Sequence, residues 1–207
     1  MSEISAGTRD SNRAQISVII PAHEEAASID DCLQSLTRQT TDLPTEIIVV
    51  ANACRDATAA RASRCRPMVE ARGMRLVVIE DPVGGKSRAL DTGDHIATGA
   101  IRVYLDADVL CEPELLHQLA TSLAGPEPLL GSGTLAIPTP RSWFSRCYAR
   151  VWQRLALLAT DVPGCGLYAV NRAGRKRWGR FPAIHSDDKY VRLLFAHSGP
   201  IRSRIPI

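Results

Sequence analysis

Four short apolar runs, each followed by polar or turn-forming residues, constrain the fold of this chain more than any other feature. Strands that are buried on both faces are almost continuously apolar, whereas half-exposed strands alternate apolar and polar residues. These runs alternate with longer segments of helical pattern, which is typical of a parallel sheet with helices on both faces. The sequence therefore predicts an α/β fold whose first four strands lie at about residues 16–20, 46–50, 75–79 and 102–105.

Helical spacing is clearest in the segment that follows the first run. Ile29, Leu33 and Leu36 recur on one helix face, and Ser28 with Asp31 is expected to cap the start of that helix. Later segments have weaker patterns of the same kinds. We predict further helices at 58–70, 88–97, 113–123, 141–160 and 187–196, and further strands at 129–137, 167–170 and 201–207.

Length and composition indicate one globular unit. The 207 residues suit a single domain over 16–207, preceded by a disordered polar tail over 1–15. A net charge of +3 is too small to predict a nucleic-acid partner, so none is expected. The six cysteines form no C-x-x-C pair, which favours reduced thiols in a cytoplasmic protein. No apolar run approaches the ~20 residues of a transmembrane helix, and no signal peptide is recognised.

Two carboxylates stand directly after the fourth run. Asp106 and Asp108 would lie at the carboxyl end of a strand, where open α/β sheets bind their ligands. Alternate residues of an extended segment point the same way, so both side chains can face one site. Such hard oxygen donors suit Mg²⁺ or Mn²⁺ shared with a diphosphate. The alternative is a solvated strand end without a ligand.

A glycine loop and an acidic dipeptide are two further candidates. Lys86 follows Gly84-Gly85 at a predicted helix start, where it could meet a phosphate or a carboxylate. A P-loop is disfavoured because Glu80 occupies the position of that motif's first glycine. Glu24 and Glu25 follow the first run, where they either favour a helix N-terminus or bind a ligand.

The second half of the chain contains an acidic pair and a basic helix. Asp187 and Asp188 either stabilise the first turn of a helix or supply a general base. Helix 141–160 has an arginine stripe with aromatic residues nearby, which is either a solvated face or a peripheral contact with an anionic membrane. The five histidines show no paired ligand spacing, so no zinc site is predicted.

Taken in order, these motifs resemble those of the family 2 glycosyltransferases, which have a GT-A fold. The resemblance spans about residues 16–195 and rests on several weak motifs in the family's order. They are I-P-A-H-E-E at 20–25, V-V-A-N-A-C-R-D-A-T at 49–58, G-K-S-R-A-L at 85–90, D-A-D at 106–108, G-C-G-L-Y at 164–168 and D-D at 187–188.

The resemblance implies a metal-dependent inverting enzyme, hexosyltransferase-like, that uses Mn²⁺ or Mg²⁺ and a UDP- or GDP-sugar to modify an acceptor hydroxyl. The reduced thiols favour a cytoplasmic protein, and the arginine stripe would place it peripherally at the inner face of the membrane if helix 141–160 makes that contact. Residues 16–124 would bind the nucleotide sugar and 125–207 would form the acceptor side. The implied roles are nucleotide-sugar binding by Pro21, Ala22, Glu25, Asn52, Lys86 and Asp106, metal binding by Asp108 and Asp106, and catalysis by Asp188 with Asp187.

Some positions depart from the family pattern and keep alternatives open. Asn52 stands where many members have an aspartate that contacts the base, and Asp187 stands in place of a glutamate. Little chain follows Asp188, which suggests a catalytically incomplete domain that binds nucleotide sugars. A sugar-nucleotide nucleotidyltransferase is another alternative, although Pro21 to Glu25 lacks the glycine-rich loop such an enzyme needs. The sugar and the acceptor are not specified by the sequence.

Overall fold

The computed structural model describes residues 15–134, 166–184, 186–196 and 204–206. The predicted tail, except for Gln15, and the predicted helix 141–160 with its arginine stripe lie outside the described residues. In the described part of the chain, no helix is both long enough and apolar enough to cross a membrane. The four cysteines of this part form no disulfide.

One mixed sheet of seven strands forms the centre of the described residues. Its strands are β1 (Ile16–Ala22), β2 (Thr45–Asn52), β3 (Arg75–Asp81), β4 (Ile101–Leu105), β5 (Leu130–Thr134), β6 (Leu167–Asn171) and β7 (Arg204–Pro206). Their spatial order is β3-β2-β1-β4-β6-β5-β7. The first four strands are parallel, β6 is antiparallel to both β4 and β5, and β7 is parallel to β5. The four apolar runs thus form the parallel half, as predicted.

The helices largely follow the predicted segments. They are α1 (Ile29–Thr37), α2 (Thr58–Arg64), α3 (Arg66–Glu70), α4 (Lys86–Ile96), α5 (Leu115–Ser122), α6 (Arg172–Arg175) and α7 (Asp187–Ala196). The bounds of α7 are those predicted, whereas α4 begins two residues earlier than expected, at Lys86.

Two local predictions about helices are wrong. The single helix expected over 58–70 is broken, because Pro67 lies in the first turn of α3 and cannot donate a backbone hydrogen bond to a preceding turn. Ser28 does not cap α1 with its side chain. Its hydroxyl donates instead to the carboxylate of Glu25 at 2.6 Å, inside the loop that follows β1.

The core has a layer on each face of the sheet, which explains why the runs are apolar throughout. Alternate residues of β1 and β2 belong to the two layers, one of which also contains residues of α1 and α5 and the other residues of α4 and α7. The first layer includes Val18, Ile20, Val49, Leu33 and Leu119, and the second includes Ile19, Ile48, Val50, Leu90 and Phe195.

Helix α4 approaches the sheet closely at Gly93, and Gly93→Ala should therefore destabilise the protein. A Cβ atom there would lie 2.6 Å from Cγ2 of Ile19, a fully buried side chain. Overpacking of this kind costs about 1–3 kcal/mol, and the better helix propensity of alanine returns only about 1 kcal/mol. We expect a net loss of up to about 2 kcal/mol in the free energy of unfolding, measured by urea denaturation.

Gly179→Ala is the matched control, because a Cβ atom at Gly179 meets nothing within 4 Å. Equal stabilities of the two variants would show that α4 can move away from the sheet without loss.

Candidate nucleotide-sugar site

The carboxyl ends of β1, β2 and β4 border two adjoining cavities at one edge of the sheet. The larger is an open cleft of about 490 Å³, and the smaller, of about 140 Å³, reaches the start of α7. Pro21, Lys86 and Asp106 line both cavities. All the residues to which the family resemblance gives a role line one or the other, whereas Glu24 lines neither. The cleft has Pro21, Ala22, Glu25, Asn52, Lys86, Asp106 and Asp108, and the small cavity has Asp187 and Asp188.

A larger groove, of about 720 Å³, lies between α4 and residues 179–183 and contains none of the predicted site residues. Most of its charged side chains form ion pairs or hydrogen bonds within the protein. Arg88 pairs with Asp81, and Asp91 accepts a hydrogen bond from the backbone of Phe181. The polar groups that could meet a charged ligand are concentrated at the strand ends instead.

Asp106 and Asp108 lie in a turn and not in an extended segment. Strand β4 ends at Leu105, and the backbone N–H of Val109 donates to the carbonyl of Asp106 at 3.2 Å. The sequence predicted that the two side chains converge because alternate residues of a strand point the same way, and that reason is wrong. The turn nevertheless brings both residues to the wall of one cleft, with Asp108 exposed and Asp106 half-buried.

Gly166 makes room for the Asp106 carboxylate. Its carbonyl accepts the backbone N–H of Asp106 at 2.7 Å. The residue has a φ of +71°, and a Cβ atom there would lie 3.1 Å from Oδ2 of Asp106 and 2.8 Å from Cγ2 of Val109. A side chain at this position would thus be strained and would crowd the turn.

Lys86 joins the two acidic groups of the site. Its Nζ lies 2.7 Å from Oδ1 of Asp106 and 3.0 Å from Oδ1 of Asp187. Burial lowers the pKa of Lys86, but the two carboxylates outweigh burial and hold that pKa above its ordinary value. Burial raises the pKa of Asp106 in spite of Lys86, and the charges of Asp187 and Asp108 raise it further.

Asn52 holds the glycine loop in place. Its Nδ2 donates to the carbonyl of Val83 at 2.6 Å, and its Oδ1 accepts the backbone N–H of Gly85 at 2.7 Å. An aspartate could accept the second bond but could not donate the first. The departure from the family pattern at this position therefore has a structural use at the start of α4.

The loops after β1 and β2 are tied to each other, which the sequence analysis missed. His23 makes a hydrogen bond through Nδ1 to the carbonyl oxygen of Asn52 at 2.6 Å. The backbone N–H of Glu25 donates to Oγ1 of Thr58 at 2.8 Å, and that of Ala26 donates to Asp56 at 3.0 Å. These bonds fix the backbone that carries Pro21, Ala22 and Glu25.

The two carboxylates at the start of α7 differ in environment. Asp187 is 4% exposed and paired with Lys86. Asp188 is half-buried, and no ion pair within the described residues involves it. Asp187 is thus held in place, while Asp188 is available to a ligand in the small cavity.

Tyr168 is a further residue of the small cavity. It ends the G-C-G-L-Y motif, but the sequence predicted no role for it. Burial, and then the charge of Asp187, raise the pKa of Tyr168 well above its ordinary value. Its hydroxyl therefore stays protonated and can only add a neutral polar group to this cavity.

The acidic groups of the site suit a cation that is shared with a ligand. Among the described residues, no group of three or more His, Cys, Asp or Glu side chains could hold a metal ion by itself. Mg²⁺ is commonly bound by one or two carboxylates together with substrate phosphates and water. Asp106 and Asp108 fit that pattern, since they offer hard oxygen donors beside an open cleft.

The fold is that of the GT-A glycosyltransferases. One similar structure is the mannosyltransferase PcManGT from Pyrobaculum calidifontis in complex with GDP-Man and Mn²⁺. It has a TM-score of 0.68 and 28% identity, over 95% of this chain and 55% of that one. Glucosyl-3-phosphoglycerate synthase from Mycobacterium tuberculosis, with UDP, has a TM-score of 0.60 and 22% identity over 94% and 73% of the two chains, and shares the fold.

The family is shown by the sequence match. The model of Glycosyl transferase family 2 matches residues 17–178, and the chain belongs to that family. Glycosyltransferase AglE of Haloferax volcanii is 32% identical over 60% of this chain and 40% of its own length. Validoxylamine A glucosyltransferase of Streptomyces hygroscopicus is 30% identical over 55% and 26%. The matches span less than half of either relative.

Proposed function

We propose that this chain is a metal-dependent inverting glycosyltransferase, which moves a sugar from a UDP- or GDP-sugar to an acceptor hydroxyl. The observation that carries the proposal is the common wall of the two cavities. Asp106 and Lys86 line both, with the Asp108 carboxylate on one side and Asp188 on the other. Family membership supports sugar transfer over nucleotidyl transfer.

The donor would occupy the larger cleft. Pro21 and Ala22 offer an apolar wall for the base and ribose, while the carboxylate of Glu25 can accept hydrogen bonds from ribose hydroxyls. Asn52 supports the loop before Lys86, whose ammonium would lie near the diphosphate. Asp108 and Asp106 would hold Mn²⁺ or Mg²⁺, which when bound stabilises the charge of the leaving diphosphate as a Lewis acid.

The acceptor hydroxyl would react at the smaller cavity. Asp188 takes the proton from this hydroxyl, and the oxygen forms a bond to the anomeric carbon as the bond to the diphosphate oxygen breaks. Attack from the face opposite the diphosphate inverts the configuration. Asp187 does not take part in proton transfer, because its carboxylate is buried against Lys86 and keeps the start of α7 in position.

Thermal stabilisation of the protein by nucleotides tests the donor site, and Asp108→Ala should abolish this stabilisation. We expect UDP or GDP, or one of their sugars, to raise the melting temperature of the wild type only with Mn²⁺ present. A nucleotide concentration a hundredfold above Kd adds about 2.7 kcal/mol to the free energy of unfolding. Asp108→Ala should lose this shift because it removes an exposed carboxylate from the cleft without disturbing the core.

Asp42→Ala is the control, since Asp42 is also exposed but lies before β2, at the opposite end of the strands. It should respond as the wild type does. A nucleotide shift that is independent of Mn²⁺, or one that survives in Asp108→Ala, would contradict the proposed metal site. Nucleotide binding without turnover on any acceptor would support the binding-domain alternative.

A further inference from the structure

We infer that Lys86 is a positioning residue that makes metal binding depend on the donor diphosphate. Its ammonium holds Asp106 while no donor is bound, so that the metal and the nucleotide enter the site together. This inference rests on the proposed function and gives one residue of the same site a specific role.

The geometry places one cation between the two acidic parts of the site. The ammonium of Lys86 is in direct contact with Oδ1 of Asp106 and with Oδ1 of Asp187. The Asp187 side chain is 6% exposed, whereas those of Lys86 and Asp106 are both 37% exposed. Asp187 therefore anchors the ammonium from the buried side, and Asp106 is the partner that an incoming ligand can reach.

A divalent ion without a nucleotide meets an unfavourable site. An ion that binds Asp106 must approach the Lys86 ammonium, and like charges at such distances repel strongly where water is partly excluded. No third ligating side chain within the described residues offsets that repulsion. We therefore expect the protein to bind Mn²⁺ weakly when no nucleotide is present.

A diphosphate reverses this balance. Its oxygens can lie between the metal and the ammonium and attract both cations, so that each contact strengthens the other. The affinities for metal and nucleotide are then coupled, and by thermodynamic linkage each ligand raises the affinity for the other by the same factor. Replacing Lys86 by a neutral residue should strengthen binding of the metal alone and weaken the coupling.

Arg88 provides a control for overall charge. It lies on the same helix, and its Nε donates to Oδ2 of Asp81 at 2.8 Å. It lines the groove beside α4 and neither of the two site cavities. Arg88→Gln removes the same charge as Lys86→Gln without touching Asp106 or Asp187.

The experiment measures free Mn²⁺ by electron paramagnetic resonance during titration of the full chain, alone and with UDP or GDP. We expect Lys86→Gln and Lys86→Met to bind Mn²⁺ alone about tenfold more tightly than the wild type. The factor by which UDP or GDP improves Mn²⁺ affinity should fall by a similar amount. Lys86→Arg and Arg88→Gln should behave as the wild type does, and two neutral variants guard against one that folds poorly.

The remaining outcomes separate this inference from the proposed function. Unchanged affinity for Mn²⁺ alone in both neutral variants, with wild-type binding of Mn²⁺ and nucleotide together, would overturn only the role of Lys86. Tighter binding in Arg88→Gln as well would also overturn it, because general charge would then be the cause. Absence of Mn²⁺ binding by the wild type with either nucleotide would overturn both proposals.

Discussion

Asp188→Asn should reduce sugar transfer by about 10²–10⁴-fold while the donor still binds. The substitution keeps the shape of the side chain but removes its ability to take a proton. Asp188 is half-buried in the small cavity and does not contribute an ion pair within the described residues, so the fold should tolerate the change. Release of UDP or GDP from the sugar nucleotide that the wild type binds measures the reaction.

Asp187→Asn separates proton transfer from positioning. This variant removes a carboxylate that is 4% exposed and paired with Lys86, so it should lower the melting temperature as well as the activity. Asp188→Asn should lower activity alone, with an unchanged melting temperature and nucleotide-induced shift. Full activity of a correctly folded Asp188→Asn protein would reject the proposed base.

The parallel half of the sheet could be predicted because its cause is local. Ile19, Ile48 and Val50 lie on one face of the sheet, and their neighbours in the sequence, which lie on the other face, are apolar too. Such a pattern requires both faces of the sheet to be covered. The start of α7 was also predictable, since acidic residues in a first helical turn are a local signal. The direction of β6 was not, because its apolar pattern is the same in a parallel and an antiparallel strand.

The convergence of the candidate site residues was predictable, but their contacts were not. Spacing and family resemblance selected Lys86, Asp106 and Asp187, and the three do converge. Their ion pairs join residues far apart in the chain, so only the folded arrangement of α4 and α7 on the same face of the sheet reveals them. In the same way, nothing in the sequence shows that the Asn52 amide holds the glycine loop.

The largest loss of stability is expected at Asp94, which lies outside both site cavities. Its carboxylate is 7% exposed and links α4 to β4 and α6. It pairs with Arg102, accepts from Nε of Arg175 at 2.6 Å, and accepts from the hydroxyl of Tyr104 at 2.8 Å. Asp94→Asn leaves two largely buried guanidinium groups without their counter-charge, which should cost about 3–5 kcal/mol.

Asp30→Asn is the matched control for this loss. Asp30 also pairs with an arginine, Arg61, but the two side chains are 40% and 37% exposed. Exposed ion pairs contribute little to stability because water and salt screen them. Urea denaturation at pH 7 measures both variants, and a loss at Asp94 no greater than that at Asp30 would refute the buried network as a source of stability.

The pH dependence of the difference between wild type and Asp94→Asn gives a second test. Burial raises the pKa of Asp94, but hydrogen bonds and charge from Arg175 and Arg102 outweigh burial and lower this pKa below its ordinary value. The folded protein thus binds the proton less tightly than the unfolded chain, whose aspartate pKa is about 3.9. The stabilisation is present in full above that pH and is lost as pH falls through the lower, folded value.

The difference in unfolding free energy between the wild type and Asp94→Asn should stay constant between pH 7 and about pH 5 and shrink below about pH 4. Other carboxylates titrate equally in both proteins, so a difference that persists in acid would show that the loss comes from packing and not from the charge of Asp94.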